Sequence, residues 1–152
     1  NPVGDATDQT GKYFWAAPFE IDGEFGGLES PSGGSYAMSF KRPELFPLED
    51  RANTTIGIIA TDADLTKAQA QRLATSAHDG IARAIVPSHL PFDGDLIFAT
   101  TTSEIPLQDE VYDFAEICHA ASLCMARAIA RGVYNAENLP GDPMPTYKKL
   151  NG

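Results

Sequence analysis

Three polar knots in this chain carry residue types that can do chemistry. The first is Asn53-Thr54-Thr55, which runs straight into the apolar stretch Ile56-Gly57-Ile58-Ile59-Ala60. Threonine becomes a strong nucleophile when it is freed as a chain N-terminus, because its own α-amine then serves as the base. That amine has a reference pKa of about 7.7–8.0, so much of it is neutral at physiological pH. Attack of the Thr54 hydroxyl on the Asn53 carbonyl gives an ester, and water then releases a new N-terminal Thr54. Asn53-Thr54 is therefore a candidate cleavage point. Read alone it is also an ordinary strand start, a position where threonine is common.

The second knot is Asp93-Gly94-Asp95, at the end of His89-Leu90-Pro91-Phe92 and just before the apolar Leu96-Ile97-Phe98-Ala99. Two carboxylates at the head of one strand and a threonine at the head of another can meet in space. Asp93 and Asp95 could orient a nearby ammonium or hold a substrate amine. If they lie close together, one of them titrates high. Gly94 leaves the geometry open, and an Asp-Gly turn is the plainer reading. A divalent-metal site using Asp93, Asp95 and nearby His89 lacks further ligands.

The third knot is Asn1-Pro2-Val3-Gly4-Asp5, where the Asn1 side chain could donate to an oxyanion. In isolation it is a turn. Cys118, His119 and Cys124 share a helical stretch but do not converge as metal ligands, so no metal site is expected. His78 reads as a packed helix residue. The glycine pairs at 26–27 and 33–34 match neither a phosphate loop nor a dinucleotide fingerprint.

The elements that must position these residues follow from pattern. Residues 1–53 are broken by glycine and proline, with short strands expected only at 12–16 and 35–40. The segment 43–50 reads as an exposed connector. From Thr54 the texture changes. Residues 55–61 are rich in β-branched residues and nearly all apolar, which predicts a central strand covered on both faces. Thr66-Lys67-Ala68-Gln69 has the form of a capping box. The helix it opens should run to about Ile85, stopped by Pro87, with Leu73, Ala77, Ile81 and Ile85 as its apolar stripe.

A second strand is expected over 96–101 and a second helix from about Asp109 to Arg131, ending at Gly132. Its buried face should include Val111, Phe114, Ala115, Cys118, Ala121, Ala128 and Ile129. The tail over 139–145 reads as irregular. The β-α-β-α order makes this an α/β protein with helices layered on a sheet.

Composition narrows the function classes. The 152 residues are the size of one domain, and 43% are hydrophobic, enough for a packed core. A net charge of −10 argues against nucleic acid and anionic membrane as partners. Two cysteines make no disulfide framework, which favours a reducing, cytoplasmic location. The chain starts without Met and reads as the middle of something longer.

Together these pieces resemble the DmpA-type peptidase family of L-aminopeptidase/D-esterases, β-aminopeptidases and nylon-oligomer (6-aminohexanoate oligomer) hydrolases. The resemblance rests on Asn1-Pro2-Val3-Gly4, on Asn53-Thr54-Thr55-Ile56 with Ala60-Thr61-Asp62, and on Leu65-Thr66-Lys67-Ala68-Gln69. It continues through residues 78–85 and 89–99, is dense over 54–102 and thin over 5–52. It implies an αββα four-layer sandwich of the N-terminal-nucleophile hydrolase type, of which this chain is the C-terminal part. Cleavage at Asn53-Thr54 would leave residues 1–53 as the end of the α chain and 54–152 as the β chain. The resemblance makes Thr54 the nucleophile, Asp93 and Asp95 its supporting carboxylates, and Asn1 a residue near the reacting carbonyl. The Thr/Asp/Asp set is similar to the nylon-oligomer hydrolase subgroup, whereas the β-aminopeptidases use Ser with Ser and Glu. It also implies a homo-oligomer of cleaved protomers, an N-terminal half that supplies a Lys, and no cofactor.

The expected function is thus self-processing hydrolysis of amide bonds in short peptides or amino-acid oligomers with a free amine. The rival reading is an uncleaved or truncated homologue that serves as a binding or assembly subunit.

Overall fold

A computed structural model of the protein describes residues 2–31, 53–142 and 144–152. Asn1, the strand expected at 35–40 and the connector at 43–50 lie outside the described residues. Among the described residues the first strand is β1, Ile56–Ala63, followed by helix α1, Lys67–Ala84. Strand β2, Leu96–Ile105, helix α2, Tyr112–Asn135, and a short helix α3, Tyr147–Asn151, complete the order. β1 and β2 pair in parallel from Ile56 opposite Leu96, with an irregularity between Thr61 and Ala63. Parallel neighbours need a crossover, and α1 supplies it.

α1 begins where the capping box places it. The Thr66 hydroxyl accepts the Gln69 amide, and the Gln69 side chain accepts the Thr66 amide. Its stripe of Leu73, Ala77, Ile81 and Ile85 is buried and joins Ala63, Leu65, Ile97, Ala121 and Met125 in the main core. Leu73 and Ile81 are fully enclosed, each contributing about 1.5–3 kcal/mol by leaving water.

α1 and α2 meet backbone to backbone at Gly80. A Cβ there would lie 2.3 Å from the Ser122 carbonyl oxygen and 2.6 Å from the Met125 Cβ. That approach decides which face of α2 is inside: Ala121, Ser122, Met125, Ala126 and Ala130. Of the expected face, Ala121 is buried and Phe114, Cys118 and Ile129 are half-buried, but Ala115 and Ala128 are exposed and Val111 is 71% exposed. α2 also starts later than expected, because Asp109 folds back to accept the amides of Val111 and Tyr112. Gly132 does not stop it; the helix continues to Asn135.

The N-terminal segment packs on both long helices in a second cluster. Phe14 and Phe25 pack with Ala16, Ala84, Ala126 and Ala130. Glu24 is paired with Arg127 and Arg131 of α2. The strand expected at 12–16 is reduced to a single bridge between Thr7 and Phe14, followed by a 3-10 turn at Ala17–Phe19.

β1 is not covered on both faces among the described residues. Its burial alternates, leaving Ile56 and Ile58 70% and 65% exposed beside Leu96 and Phe98 of β2. Among the described residues, no helix is long and apolar enough to cross a membrane.

Candidate active site

The parallel pairing brings the N-terminal ends of β1 and β2 side by side, and with them two of the polar knots. One step before the strands, Asn53 bridges Asp93 in the same parallel sense. The Gly94 amide donates to the Asn53 carbonyl at 2.8 Å, and the Leu96 amide donates to the Thr55 carbonyl at 2.9 Å. Thr54 therefore lies across from Gly94. Its hydroxyl donates to the Asn53 carbonyl oxygen at 2.6 Å. That oxygen takes two donors at once, which polarises the carbonyl carbon beside the hydroxyl. A Cβ on Gly94 would stand 3.0 Å from the Thr54 Oγ1 and 3.6 Å from the Asn53 oxygen. Glycine is what lets the two strand heads approach this closely.

The two carboxylates are anchored in different directions. Asp93 accepts the Val3 amide on Oδ1 and the Leu90 amide on Oδ2, both at 3.0 Å. It thereby ties the N-terminal knot to the loop before β2. The same tie is reinforced where Asp5 and Val86 exchange backbone hydrogen bonds, and where Gly4 leaves no room for a side chain against Pro87. Asn1 itself is outside the described residues, but Val3 and Gly4 of its motif sit on this loop.

Asp95 faces β1. Its Oδ1 accepts the Thr55 amide at 2.8 Å, and its Oδ2 pairs with the His89 Nδ1 at 2.6 Å. The side chain is only 4% exposed. Burial pushes the Asp95 carboxyl up, but the donors of Thr55 and the His89 imidazole outweigh it and hold the group below the usual carboxylate range. Asp95 is therefore not the high-titrating member that a close acid pair would contain.

The sequence marks His89 only as a metal ligand; in the fold Asp95 takes its Nδ1. Its Nε2 lies 3.3 Å from the His78 carbonyl oxygen, and the two imidazole rings are 5.2 Å apart. Burial, then the His89 charge, pushes His78 below the ordinary histidine range. Nothing in the spacing of residues 78 and 89 announces this contact. It depends on the left-handed backbone of His89, with φ of 55°. Among the described residues, no three His, Cys, Asp or Glu side chains come together to hold a metal ion.

The sequence model of Peptidase family S58 matches residues 3–145. The chain is similar to an uncharacterized aminopeptidase of Mycobacterium tuberculosis (strain CDC 1551 / Oshkosh), 35% identical over 160 aligned positions that cover 99% of this chain and 45% of the relative. It is 37% identical to an uncharacterized aminopeptidase of Mycobacterium leprae over 97% of this chain and 41% of that one. A 6-aminohexanoate-oligomer endohydrolase of Paenarthrobacter ureafaciens is 32% identical over 70% of this chain and 29% of its own length. The chain thus spans less than half the length of these curated relatives.

Proposed function

The chain belongs to peptidase family S58, and on that premise we propose that it carries the nucleophile of a self-processing amide hydrolase, with Thr54 in that role. The observation that carries the reading is the Thr54 hydroxyl set 2.6 Å from the Asn53 carbonyl oxygen while the Gly94 amide holds the same oxygen at 2.8 Å. The Gly94 amide stands where negative charge develops when the Thr54 hydroxyl adds to that carbonyl.

In self-processing, the Thr54 oxygen bonds to the Asn53 carbonyl carbon. The C–N bond to Thr54 breaks, and the hydroxyl proton ends on the departing nitrogen. Water then cleaves the ester, leaving a carboxylate on Asn53 and a free amine and hydroxyl on Thr54. In turnover, that amine takes the hydroxyl proton as Thr54 attacks the substrate amide, and passes it to the leaving amine. Water hydrolyses the acyl-Thr54 ester and restores the enzyme.

Asp95 fixes the register of Thr54 by holding the next amide along, Thr55. Asp93 fixes the N-terminal knot through the Val3 amide, and Asn1 is proposed as a further donor to the oxyanion. The reaction as written needs no cofactor. The net charge of −10 suits a substrate with a free amine, either a short peptide or an amino-acid oligomer. The names of the relatives, aminopeptidase and 6-aminohexanoate-oligomer endohydrolase, span that same range.

The exposed apolar row Ile56, Ile58, Leu96 and Phe98 supports a four-layer αββα arrangement, in which a second sheet supplied by the remainder of the protein covers this face. Cleaved protomers would assemble as a homo-oligomer.

Replacing Thr54 tests the reading in the full-length protein. Thr54→Ala should abolish hydrolysis of an aminoacyl p-nitroanilide, whereas Thr54→Ser should keep a measurable rate. An active Thr54→Ala enzyme would remove Thr54 from the mechanism.

A further inference from the structure

Both ring nitrogens of His89 face acceptors. Nδ1 meets the Asp95 carboxylate at 2.6 Å, and Nε2 meets the His78 carbonyl at 3.3 Å. A carbonyl oxygen only accepts, so Nε2 must carry a proton to bond it. A buried carboxylate that already accepts the Thr55 amide also takes a proton donor on its second oxygen. Only the imidazolium supplies both protons at once; either neutral tautomer sets a lone pair against an oxygen. We propose that His89 is a positioning residue, working as an imidazolium that clamps Asp95 between α1 and β1 and thereby fixes Thr54. This rests on the reading of Thr54 as the nucleophile.

The backbone points the same way. His89 has φ of 55°, a left-handed conformation that few non-glycine residues adopt. The surrounding loop holds it there through Asp93, which accepts the amide of the next residue, Leu90. The groups around the ring are consistent with a cation. On the loop this is Asp95. On α1 it is His78, which burial keeps towards its neutral form and which has Asp79 beside it in sequence. The chain of contacts runs from the His78 carbonyl through His89 and Asp95 to the Thr55 amide, one residue from the nucleophile.

The experiment compares His89→Ala and His89→Asn with the wild type and with Thr54→Ala, all full-length. The readouts are the rate of self-cleavage and kcat and KM on an aminoacyl p-nitroanilide. Asparagine tolerates the left-handed backbone and can donate to Asp95, but it does not titrate. His89→Ala should lower kcat about tenfold to a hundredfold, the scale on which misplaced groups slow reactions, with KM nearly unchanged. His89→Asn should recover most of that loss, because its side-chain amide still donates to Asp95. Nitrogen-15 shifts of the His89 ring, read in the uncleaved Thr54→Ala protein near neutral pH, should show both nitrogens protonated. A neutral His89 ring, or a His89→Ala enzyme with wild-type kcat, overturns the proposal while an inactive Thr54→Ala leaves the nucleophile standing. An active Thr54→Ala overturns both.

Discussion

The amide of Gly94 donates to the carbonyl oxygen of Asn53 across 2.8 Å, joining two residues 41 positions apart at the heads of parallel strands. This single bond does two things. It continues the ladder between β1 and β2 past their regular ends, and it places a donor on the carbonyl next to the Thr54 hydroxyl. Fold and proposed chemistry therefore share one hydrogen bond, and substitutions around it should separate them.

Gly94→Ala should slow self-cleavage about tenfold, because the new Cβ would press on the Thr54 hydroxyl at 3.0 Å and degrade an arrangement sensitive to small displacements. The Gly94 backbone is not left-handed, so alanine adds no conformational strain there. Melting temperature should stay close to that of the wild type. Time courses of cleavage on denaturing gels, alongside thermal melts, check both halves; an unchanged cleavage rate would detach Gly94 from the reaction.

Asp95 and His78 give stability two separate dependences on pH. Asp95 is held below its ordinary range, so its contribution is present above the unfolded carboxylate value and is lost as pH falls through the lower folded value. His78 is also pushed down, so the folded state resists protonating it. Its contribution is present above the unfolded histidine value, and stability falls as pH drops below about 6.5. Asp95→Asn should cost about 1.5 kcal/mol at neutral pH, the scale of a hydrogen bond to a charged group. The deficit should shrink in acid. Urea unfolding at a series of pH values measures this, and a deficit independent of pH would refute the assignment.

Gly80→Ala should destabilise the protein by about 1–3 kcal/mol, the range for overpacking a tight contact. Helix propensity alone predicts the opposite sign, a gain of roughly 1 kcal/mol. Steric conflict decides, because the Cβ would meet the Ser122 carbonyl at 2.3 Å, inside any real contact distance. Thermal or denaturant unfolding reads the sign directly.

How far the chain was legible varies by element, for physical reasons. α1 was readable to within a residue or so because its signals are local: Thr66 and Gln69 cap each other, and the four-residue recurrence from Leu73 to Ile85 needs no partner to be seen. β1 was readable as a strand, but its cover was not. A run such as Ile56-Gly57-Ile58-Ile59-Ala60 has no polar alternation, so only the packing shows which face α1 and α2 occupy. α2 departs from its sequence pattern at both ends and in rotation. Gly132 looks like a stop, yet a Cβ there would meet nothing within 4 Å, and the helix passes through it; the inward face is set by Gly80 on a different helix.

The candidate site divides in the same way. Thr54, Asp93 and Asp95 stood out because polar residues at the heads of apolar strands are conspicuous, and parallel pairing then brings the heads together. The partners of the carboxylates did not stand out. Val3 reaches Asp93 through a loop, and His89 reaches Asp95 through a left-handed backbone, and neither contact leaves a periodic trace.

Denaturing intact-mass analysis of the full-length protein and its Thr54→Ala variant tests the central claim most directly. The account predicts two wild-type species whose masses add up to the precursor plus one water, the second beginning at Thr54, and a single uncut species for Thr54→Ala. A Thr54→Ala protein cut between residues 53 and 54, or an active wild type that remains one uncut chain, would contradict it.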